Sequence, residues 1–348
     1  MEKYLSDETF KLESGAVLPG LEIAYHRYGD FLPGKPVVWV CHALTASSDV
    51  YAWWPGLFGL DDLFNPAEYS VVCANVLGGC YGTTGPLSLD PRTGYPWYHS
   101  FPSITIRDMV EAHQKLADHL GIHHIDLLIG GSLGGQQALE WAIAAPSRIS
   151  RLVLIATNAR HSAWGIAFNE TQRMAIEADP TWAQGSPDAG LHGMKTARAI
   201  ALLSYRSYEA YQVSQVGNEH EWPREFRASG YQRYQGEKLA RRFNAFSYHI
   251  LSKAMDSHHV GRNRQSLCKA LQAIKAQTLV VGITSDQLFP LEEQRALAEH
   301  IPDASLVTIE SAYGHDGFLV ETNQLAALIK PFTFSPLSTY RSTSNHDN

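Results

Sequence analysis

The sequence is short of cysteine, of long apolar runs and of positive charge. Its four cysteines form no C-x-x-C pair, which favours buried thiols in a reducing compartment over disulfides or metal ligands. No apolar run approaches the roughly 20 residues of a membrane span, and the first eight residues lack the apolar core of a signal peptide. The formal net charge of −7 argues against a general nucleic-acid-binding protein. We therefore expect a cytoplasmic protein that binds neither nucleic acid nor membranes.

Apolar residues are plentiful, at 45% of 348, and they support a sizeable core. Short apolar runs alternate with segments of helical periodicity, which predicts an α/β fold with a mostly parallel, doubly wound sheet. The predicted strands cover residues 9–12, 21–28, 37–42, 69–75, 127–129, 151–156, 277–283 and 305–309. We expect the first two of these strands to form a hairpin.

The helical pattern dominates one long stretch without a convincing strand, from about residue 161 to residue 264. Other helices are predicted at residues 106–120, 291–300 and 317–329. The organisation that follows is a core of residues 1–160 and 265–334, a helical lid of residues 161–264, and a polar tail of residues 335–348.

Ser132 stands between a predicted strand and a predicted helix, in a G-x-S-x-G motif with Gly130 and Gly134. A strand that turns this sharply into a helix strains the backbone of its central residue and needs small neighbours where the two elements cross. The arrangement resembles the nucleophile elbow of α/β-hydrolases. An incidental serine in a glycine-rich turn is the alternative, but the flanking strand and helix favour Ser132 as a nucleophile.

A serine hydroxyl is a weak nucleophile near neutral pH, so Ser132 needs a base that is oriented by a carboxylate. Asp286 and His315 follow successive predicted core strands, at the sheet edge where ligands bind in parallel sheets. Asp316 is a rival for the carboxylate, but a residue adjacent to His315 is poorly placed to hold the imidazole from behind. We therefore predict a triad of Ser132, His315 and Asp286.

Acyl transfer also needs hydrogen-bond donors for the developing oxyanion. One is expected to be the backbone amide of Leu133, directly after the nucleophile, and the other an amide of the loop after the 37–42 strand. We place the second at Leu44, within about one residue. An ordinary strand-to-helix connection is the alternative for this loop.

The chain resembles the homoserine O-acetyltransferase family in several blocks beyond the elbow. They are C-H-A-L-T from Cys41, N-V-L-G-G-C-Y-G-T-T-G-P from Asn75, F-P-S-I-T-I-R-D from Phe101, G-G-S-L-G-G-Q-Q-A-L-E-W-A from Gly130, N-E-T-Q-R-M-A-I from Asn169, A-R from Ala197, S-Y-R-S from Ser204, and Y-G-H-D-G-F-L from Tyr313. These blocks span nearly the whole chain in family order. The resemblance implies the α/β-hydrolase fold with a helical lid and the triad and oxyanion donors named above.

The resemblance also implies a set of substrate-binding residues, Thr45, Arg198, Tyr205 and Asp316. Homoserine is a zwitterion, so a guanidinium for its carboxylate and a carboxylate for its ammonium suit it, and Arg198 and Asp316 are expected to provide them from opposite walls. From spacing alone, a solvated helix arginine and a surface aspartate would be favoured. Arg173 and Arg206 are the alternatives to Arg198.

The implied reaction moves an acetyl group from acetyl-CoA to the hydroxyl of L-homoserine through an acyl-serine, in methionine biosynthesis. Neither a metal nor a tightly bound cofactor is expected, and the lid helices are expected to form a homodimer interface. Two departures from the family pattern, the aromatic segment at residues 95–100 and His259 in place of an aspartate, leave the substrates open. A succinyl donor, a serine acceptor, a plain esterase or thioesterase with the same triad, and a non-catalytic binding module therefore stay as alternatives.

Overall fold

The computed structural model describes residues 1–217 and 226–334, and these residues form ten strands and twelve α-helices. The predicted polar tail, residues 335–348, lies outside the described residues. The strands are β1 (Glu2–Ser6), β2 (Phe10–Lys11), β3 (Val17–Leu18), β4 (Leu21–Tyr28), β5 (Val37–Cys41), β6 (Ser70–Ala74), β7 (Ile125–Gly131), β8 (Ile149–Ile155), β9 (Gln277–Ile283) and β10 (Ala304–Ile309).

Eight of these strands form one sheet in the order β1-β4-β6-β5-β7-β8-β9-β10. The pairs β1–β4 and β4–β6 are antiparallel, and every later pair is parallel. The carboxyl ends of β5, β7, β8, β9 and β10 therefore meet at one edge of the sheet. The predicted α/β-hydrolase fold, with its mostly parallel sheet, is confirmed.

The predicted opening hairpin is wrong. The strand that pairs with β4 is β1, with Glu2 opposite Tyr25 and Ser6 opposite Leu21, whereas β2 and β3 pair with each other in a separate small sheet. β1 is an edge strand with no fully buried residue. An exposed edge strand needs no apolar alternation, so its sequence gave no sign of a strand.

The parallel strands β5 to β9 are largely buried on both faces, as the continuous apolar runs predicted, whereas the edge strand β10 is half-buried. In β5, Val38 and Val40 pack into one buried cluster, while Trp39 and Cys41 pack into another on the opposite face. This alternation follows from the two-residue repeat of a strand. The edge at which the carboxyl ends of the strands meet is therefore supported by a core on each face of the sheet.

The helices are α1 (Val50–Trp53), α2 (Ile106–His119), α3 (Leu133–Ala144), α4 (Ala163–Glu177), α5 (Leu191–Tyr205), α6 (Tyr208–Gln215), α7 (Arg227–Ala240), α8 (Ala245–Asp256), α9 (Leu267–Gln272), α10 (Leu291–His300), α11 (Gly317–Val320) and α12 (Thr322–Phe334). The predicted last helix, residues 317–329, is thus two helices. Helix α2 begins with a capping box, in which Thr105 and Asp108 each accept a hydrogen bond from the other's backbone N–H. In the described part of residues 161–264, α4 to α8 are the regular elements.

The chain enters and leaves this helical region side by side. The backbone N–H of His161 donates to the carbonyl of His258 at 3.0 Å, and that of Val260 donates to the carbonyl of Ala159 at 3.0 Å. Arg160 and His259 form the isolated antiparallel bridge between these two bonds. We call residues 159–161 and 258–260 the neck of the lid.

No helix among residues 1–217 and 226–334 is long and apolar enough to span a membrane. Cysteines Cys41, Cys73, Cys80 and Cys268 are free, and the first two are buried.

Candidate active site

Ser132 lies at the sharp turn from β7 into α3, with backbone angles φ 56° and ψ −125°. This is a strained conformation for a residue with a side chain, and it is held by bonds on both sides of the residue. The Ser132 N–H donates to the carbonyl of Ile155 in β8 at 3.0 Å. Its carbonyl accepts from the N–H of Gln136 at 3.1 Å and from the hydroxyl of Thr157 at 3.0 Å.

The two motif glycines are required by close packing at this turn. A β-carbon on Gly134 would collide with the backbone carbonyl of Cys41, at the end of β5. A β-carbon on Gly130 would collide with the carbonyl of Gly134. Helix α3 therefore crosses the strands closely enough to bring Ser132 up to the site edge, as the motif predicted.

Ser132, His315 and Asp286 are brought together from the ends of three strands. His315 Nε2 lies 2.9 Å from Ser132 Oγ, and His315 Nδ1 lies 2.7 Å from Asp286 Oδ2. The other carboxylate oxygen, Oδ1, accepts from the backbone N–H groups of Leu288 at 2.8 Å and Phe289 at 2.9 Å. A carboxylate fixed in this way holds the imidazole with Nδ1 protonated, which leaves Nε2 free to take the serine proton.

The surroundings of His315 make its imidazole easier to protonate than a free imidazole. Burial acts to lower the pKa of His315, but the charge of Asp286, its hydrogen bond and the charge of Asp316 together raise the pKa above its ordinary value. The ring of Phe289 stacks on the imidazole at 5.0 Å, and that of Phe318 meets it edge-on at 5.5 Å. A proton taken from Ser132 would thus be stabilised on a buried imidazole.

Two backbone amides lie at the positions expected for oxyanion donors. Leu133 is the first residue of α3, where the helix leaves N–H groups without an internal partner, and Leu44 lies in the loop after β5. Neither the Leu44 N–H nor the Leu133 N–H donates to another group within residues 1–217 and 226–334. Both amides are thus available to a bound oxygen.

A small pocket of about 60 Å³ opens at this edge of the sheet. Its lining comprises Ala43, Leu44, Thr45, Ser132, Arg198, Tyr205, His315, Asp316, Phe318 and Leu319. All of the predicted substrate-binding residues are in this lining, together with the serine and histidine of the predicted triad. By contrast, neither the segment 95–100 nor His259 is part of the wall of this pocket.

The charges in the pocket are not distributed as two isolated groups on opposite walls. Arg206 Nε donates to Asp316 Oδ2 at 2.8 Å, so Asp316 already has a cationic partner. Arg173 is committed elsewhere, to Glu170 and Asp256, both at 2.6 Å. Arg198 lies over the ring of Tyr205 at 5.4 Å and, among the described residues, forms no ion pair within 4.0 Å. Of the three candidate arginines, Arg198 therefore has the uncommitted charge.

Arg206 is a part of the site that sequence reasoning missed, because it was considered only as an alternative to Arg198. Its contact with Asp316 joins residues 110 positions apart, from the lid side and from the His315 loop. Local spacing carries no signal for such a pair. Within residues 1–217 and 226–334, no cluster of three His, Cys, Asp or Glu side chains is arranged to hold a metal ion.

Comparison with known proteins identifies the family. The chain matches the family model described as alpha/beta hydrolase fold over residues 36–322. A homoserine O-acetyltransferase of Cyclobacterium marinum is 47% identical over 332 residues, which cover 95% of this chain and 94% of the relative. Another, of Chlorobium chlorochromatii, is 44% identical over 336 residues, which cover 94% of each.

Solved structures agree on the fold. The homoserine O-acetyltransferase from Bacillus anthracis superposes with a TM-score of 0.91 at 22% identity, covering 97% of this chain and 98% of that one. Esterase E22 superposes with a TM-score of 0.85 at 22% identity, covering 95% and 99%. The architecture is thus shared with an esterase, whereas the sequence matches point to one enzyme group. The chain belongs to the homoserine O-acetyltransferase family of enzymes, built on the α/β-hydrolase fold.

Proposed function

We propose that the protein transfers an acetyl group from acetyl-CoA to the side-chain hydroxyl of L-homoserine, in the cytoplasm and as a step of methionine biosynthesis. The observation that carries the acceptor assignment is the uncommitted Arg198 in a small pocket beside Ser132 and His315. A guanidinium without a carboxylate partner matches the carboxylate of an amino acid. A pocket built only for ester hydrolysis has no need of such a charge.

The first half-reaction acylates Ser132. Its hydroxyl attacks the thioester carbon while His315 Nε2, 2.9 Å away, takes the proton. The Leu44 and Leu133 amides donate to the thioester oxygen as it becomes negative. The C–S bond then breaks, and His315 returns the proton to the departing thiolate of coenzyme A. An acetyl ester of Ser132 is left.

The second half-reaction uses the same groups in the opposite direction. His315 takes the proton of the homoserine hydroxyl, whose oxygen attacks the acetyl-serine carbon, and the proton then returns to Ser132 as O-acetyl-homoserine leaves. Arg198 binds the acceptor carboxylate, Asp316 faces its ammonium, and Tyr205 and Thr45 complete the walls. Neither a metal nor a bound cofactor is part of this mechanism.

Pocket size supports both the acetyl donor and the alternating order. The pocket beside Ser132 and His315 is small, at about 60 Å³. A two-carbon acyl group fits such a space better than a succinyl group with its second carboxylate. Because donor and acceptor compete for little room, a ping-pong sequence through an acyl-enzyme is favoured over a ternary complex.

A substrate matrix tests the assignment. Acetyl-CoA and succinyl-CoA are each combined with homoserine, with serine and with no acceptor, and coenzyme A release is followed together with the acylated product. We expect rapid release only with acetyl-CoA and homoserine. Release at the same rate without an acceptor would show a thioesterase, while a preference for serine or succinyl-CoA would replace one substrate and keep the mechanism.

The pH dependence of acylation reports on His315. Because His315 must be neutral to take the serine proton, and because its pKa is raised, we expect activity to fall as the pH drops through a value above about 6.5. Asp316→Asn removes one cause of the raised pKa, so this acid limb should move to lower pH. The pH dependence of p-nitrophenyl acetate hydrolysis measures this acid limb in the absence of homoserine. Glu299→Gln, at an exposed position of α10, is the control, and an unmoved limb in Asp316→Asn would contradict the expectation.

A homodimer through the lid is also part of the proposal. The lid exposes large apolar side chains that a monomer would leave in water, among them Tyr208 at 73%, Val213 at 82% and Leu203 at 57% exposure. Light scattering at micromolar concentration should therefore give the mass of a dimer. Val213→Asp should shift the mass toward the monomer, whereas Leu60→Asp, at an exposed leucine of the core, should not. A monodisperse wild-type monomer would contradict this part of the proposal.

A further inference from the structure

The peptide group between Ala43 and Leu44, in the loop after β5, is hydrogen-bonded to a buried histidine. We propose that His42 is a positioning residue for acylation: it orients the peptide between Ala43 and Leu44 so that the Leu44 N–H points at the oxyanion. The inference rests on the proposed acyl-enzyme mechanism, and it assigns a role to a side chain that never touches the substrate.

The hydrogen bonds of His42 fix its tautomer. Its side chain is buried, with Nδ1 lying 2.8 Å from the carbonyl oxygen of Ala43 and Nε2 lying 3.1 Å from the backbone N of Val76. A carbonyl can only accept and a backbone amide can only donate. Nδ1 therefore carries the proton and donates to Ala43, while Nε2 accepts from Val76.

The acceptor in the first bond belongs to the same peptide unit as the Leu44 amide. In a planar trans peptide the C=O and the following N–H point in opposite directions. Anchoring the Ala43 oxygen on the His42 side therefore aims the Leu44 N–H away from it, toward the pocket that Leu44 lines. The same oxygen also accepts from the N–H of Ala46 at 3.0 Å, which closes a turn around Leu44. Hydrogen bonds to a carbonyl polarise the amide, so its N–H becomes a stronger donor.

The imidazole keeps this arrangement across the working pH range. Burial lowers the pKa of His42 to about 4, while its bond to the Ala43 carbonyl acts weakly in the opposite direction. His42 therefore stays neutral where His315 titrates. A protonated ring would lose the acceptor that the Val76 N–H needs, so neutrality maintains both bonds.

Gln137 of α3 joins the two halves of the oxyanion site. Its Nε2 donates to the carbonyl of His42 at 3.1 Å and to the carbonyl of Leu133 at 3.2 Å, and the side chain is fully buried. One amide group thus fastens the start of the Leu44 loop to the first turn of the helix that presents the Leu133 N–H. The spacing between the two oxyanion donors is set by this bridge together with His42.

Two substitutions separate the two bonds of His42. In His42→Asn the side-chain amide reaches the place of Nδ1 and can still donate to Ala43, but the acceptor for Val76 is lost. In His42→Gln the longer side chain reaches the place of Nε2 and can still accept from Val76, but the donor to Ala43 is lost. Acylation is measured with p-nitrophenyl acetate, which needs neither coenzyme A nor homoserine, so the result does not depend on which substrates the enzyme uses.

We expect His42→Gln to lower kcat about 10- to 100-fold with KM little changed, because loss of a whole oxyanion donor typically costs about 10²–10³-fold. His42→Asn should stay within about 3-fold of wild type per folded molecule, although its melting temperature falls. The acid limb of the pH profile should not move in either variant. His258→Gln is the matched control, since His258 is also a buried neutral histidine with Nε2 3.0 Å from a backbone carbonyl, that of Asn158.

Equal losses in His42→Asn and His42→Gln would overturn the proposal, because the bond to Ala43 would then not be the cause. So would wild-type kcat in His42→Gln, or a shifted acid limb, which would place the damage at His315. If His42→Gln does not fold, Gln137→Met provides the second test. It keeps the shape and removes both donors, and kcat should fall about 10-fold with KM unchanged, whereas unchanged kcat would overturn the role of the bridge.

Discussion

Ser132→Ala is expected to abolish acetyl transfer, with a loss in kcat on the order of 10⁴- to 10⁶-fold. The substitution removes the oxygen that lies 2.9 Å from His315 Nε2. The turn itself should stay intact, because hydrogen bonds of the Ser132 backbone stabilise it. His315→Ala should lose a similar amount, and the double variant should lose little more, because the two side chains act as one unit.

The acyl-enzyme provides a second measurement of the same hypothesis. Wild-type protein incubated with acetyl-CoA alone should gain one acetyl group on the peptide that contains Ser132, detected by mass spectrometry, and Ser132→Ala should gain none. Ser247→Ala is the control, since Ser247 is a fully buried serine of α8 whose hydroxyl has no partner in residues 1–217 and 226–334. Near-normal turnover of Ser132→Ala, or no adduct on the wild type, would contradict the mechanism.

Arg198→Ala is expected to damage use of the acceptor and to spare acylation. Removing the guanidinium leaves the homoserine carboxylate in the pocket without its bidentate partner, which typically costs about 2–5 kcal/mol, or roughly 30- to several-thousand-fold in the acceptor kcat/KM. The donor contacts neither Arg198 nor Asp316 in this mechanism. The rate at which acetyl-CoA acylates Ser132 should therefore stay near that of the wild type.

Asp316→Asn should cause a smaller loss in acceptor kcat/KM with a different signature. The shape of the side chain is kept, but Arg206 loses its carboxylate partner and its charge then repels the ammonium of the acceptor. Acceptor analogues without the amino group should be relatively better substrates for this variant than for the wild type.

Stopped-flow acylation and steady-state transfer on the same variants decide whether the acceptor site is correctly placed. Arg295→Ala, which removes an exposed arginine of α10 from a surface pair with Glu292, should leave both half-reactions unchanged. Equal damage to both half-reactions in Arg198→Ala would mean that this residue supports the fold or the triad. The amino-acid site would then lie elsewhere.

The fold could be predicted from the sequence where burial dictates it. Strands β5 to β9 lie between two cores, and the edge strand β10 packs its apolar residues against both, so the apolar runs marked all six to within a few residues. Strand β1 was missed because an exposed edge strand is specified by pairing with β4 and not by its own residues. Helices α11 and α12 were predicted as one helix because neither a glycine nor a proline marks the break at Glu321.

The site could be predicted where backbone geometry demands particular residues. The glycines around Ser132 and the polar residues after β9 and β10 marked the three positions that the structure brings together. The partner of Asp316 could not be found in this way, because Arg206 contacts it from the lid, 110 positions away in the sequence. His42 was read as part of a loop motif, and only the direction of its ring nitrogens shows what it supports.

The neck allows the chain between its two halves to vary separately from the rest of the protein. Because residues 159–161 and 258–260 are hydrogen-bonded to each other, the distance between the two ends of the intervening chain is fixed at the neck. Changes of length between the two halves of the neck are therefore expected to cost little loop-closure entropy and to leave the register of β8 against β9 unchanged. Arg198 and Tyr205 lie between the two halves of the neck, whereas Ser132, Asp286 and His315 lie outside this part of the chain. Two of the proposed acceptor-binding residues, Arg198 and Tyr205, can therefore change together with the lid, whereas Thr45, Asp316 and the predicted triad belong to the core.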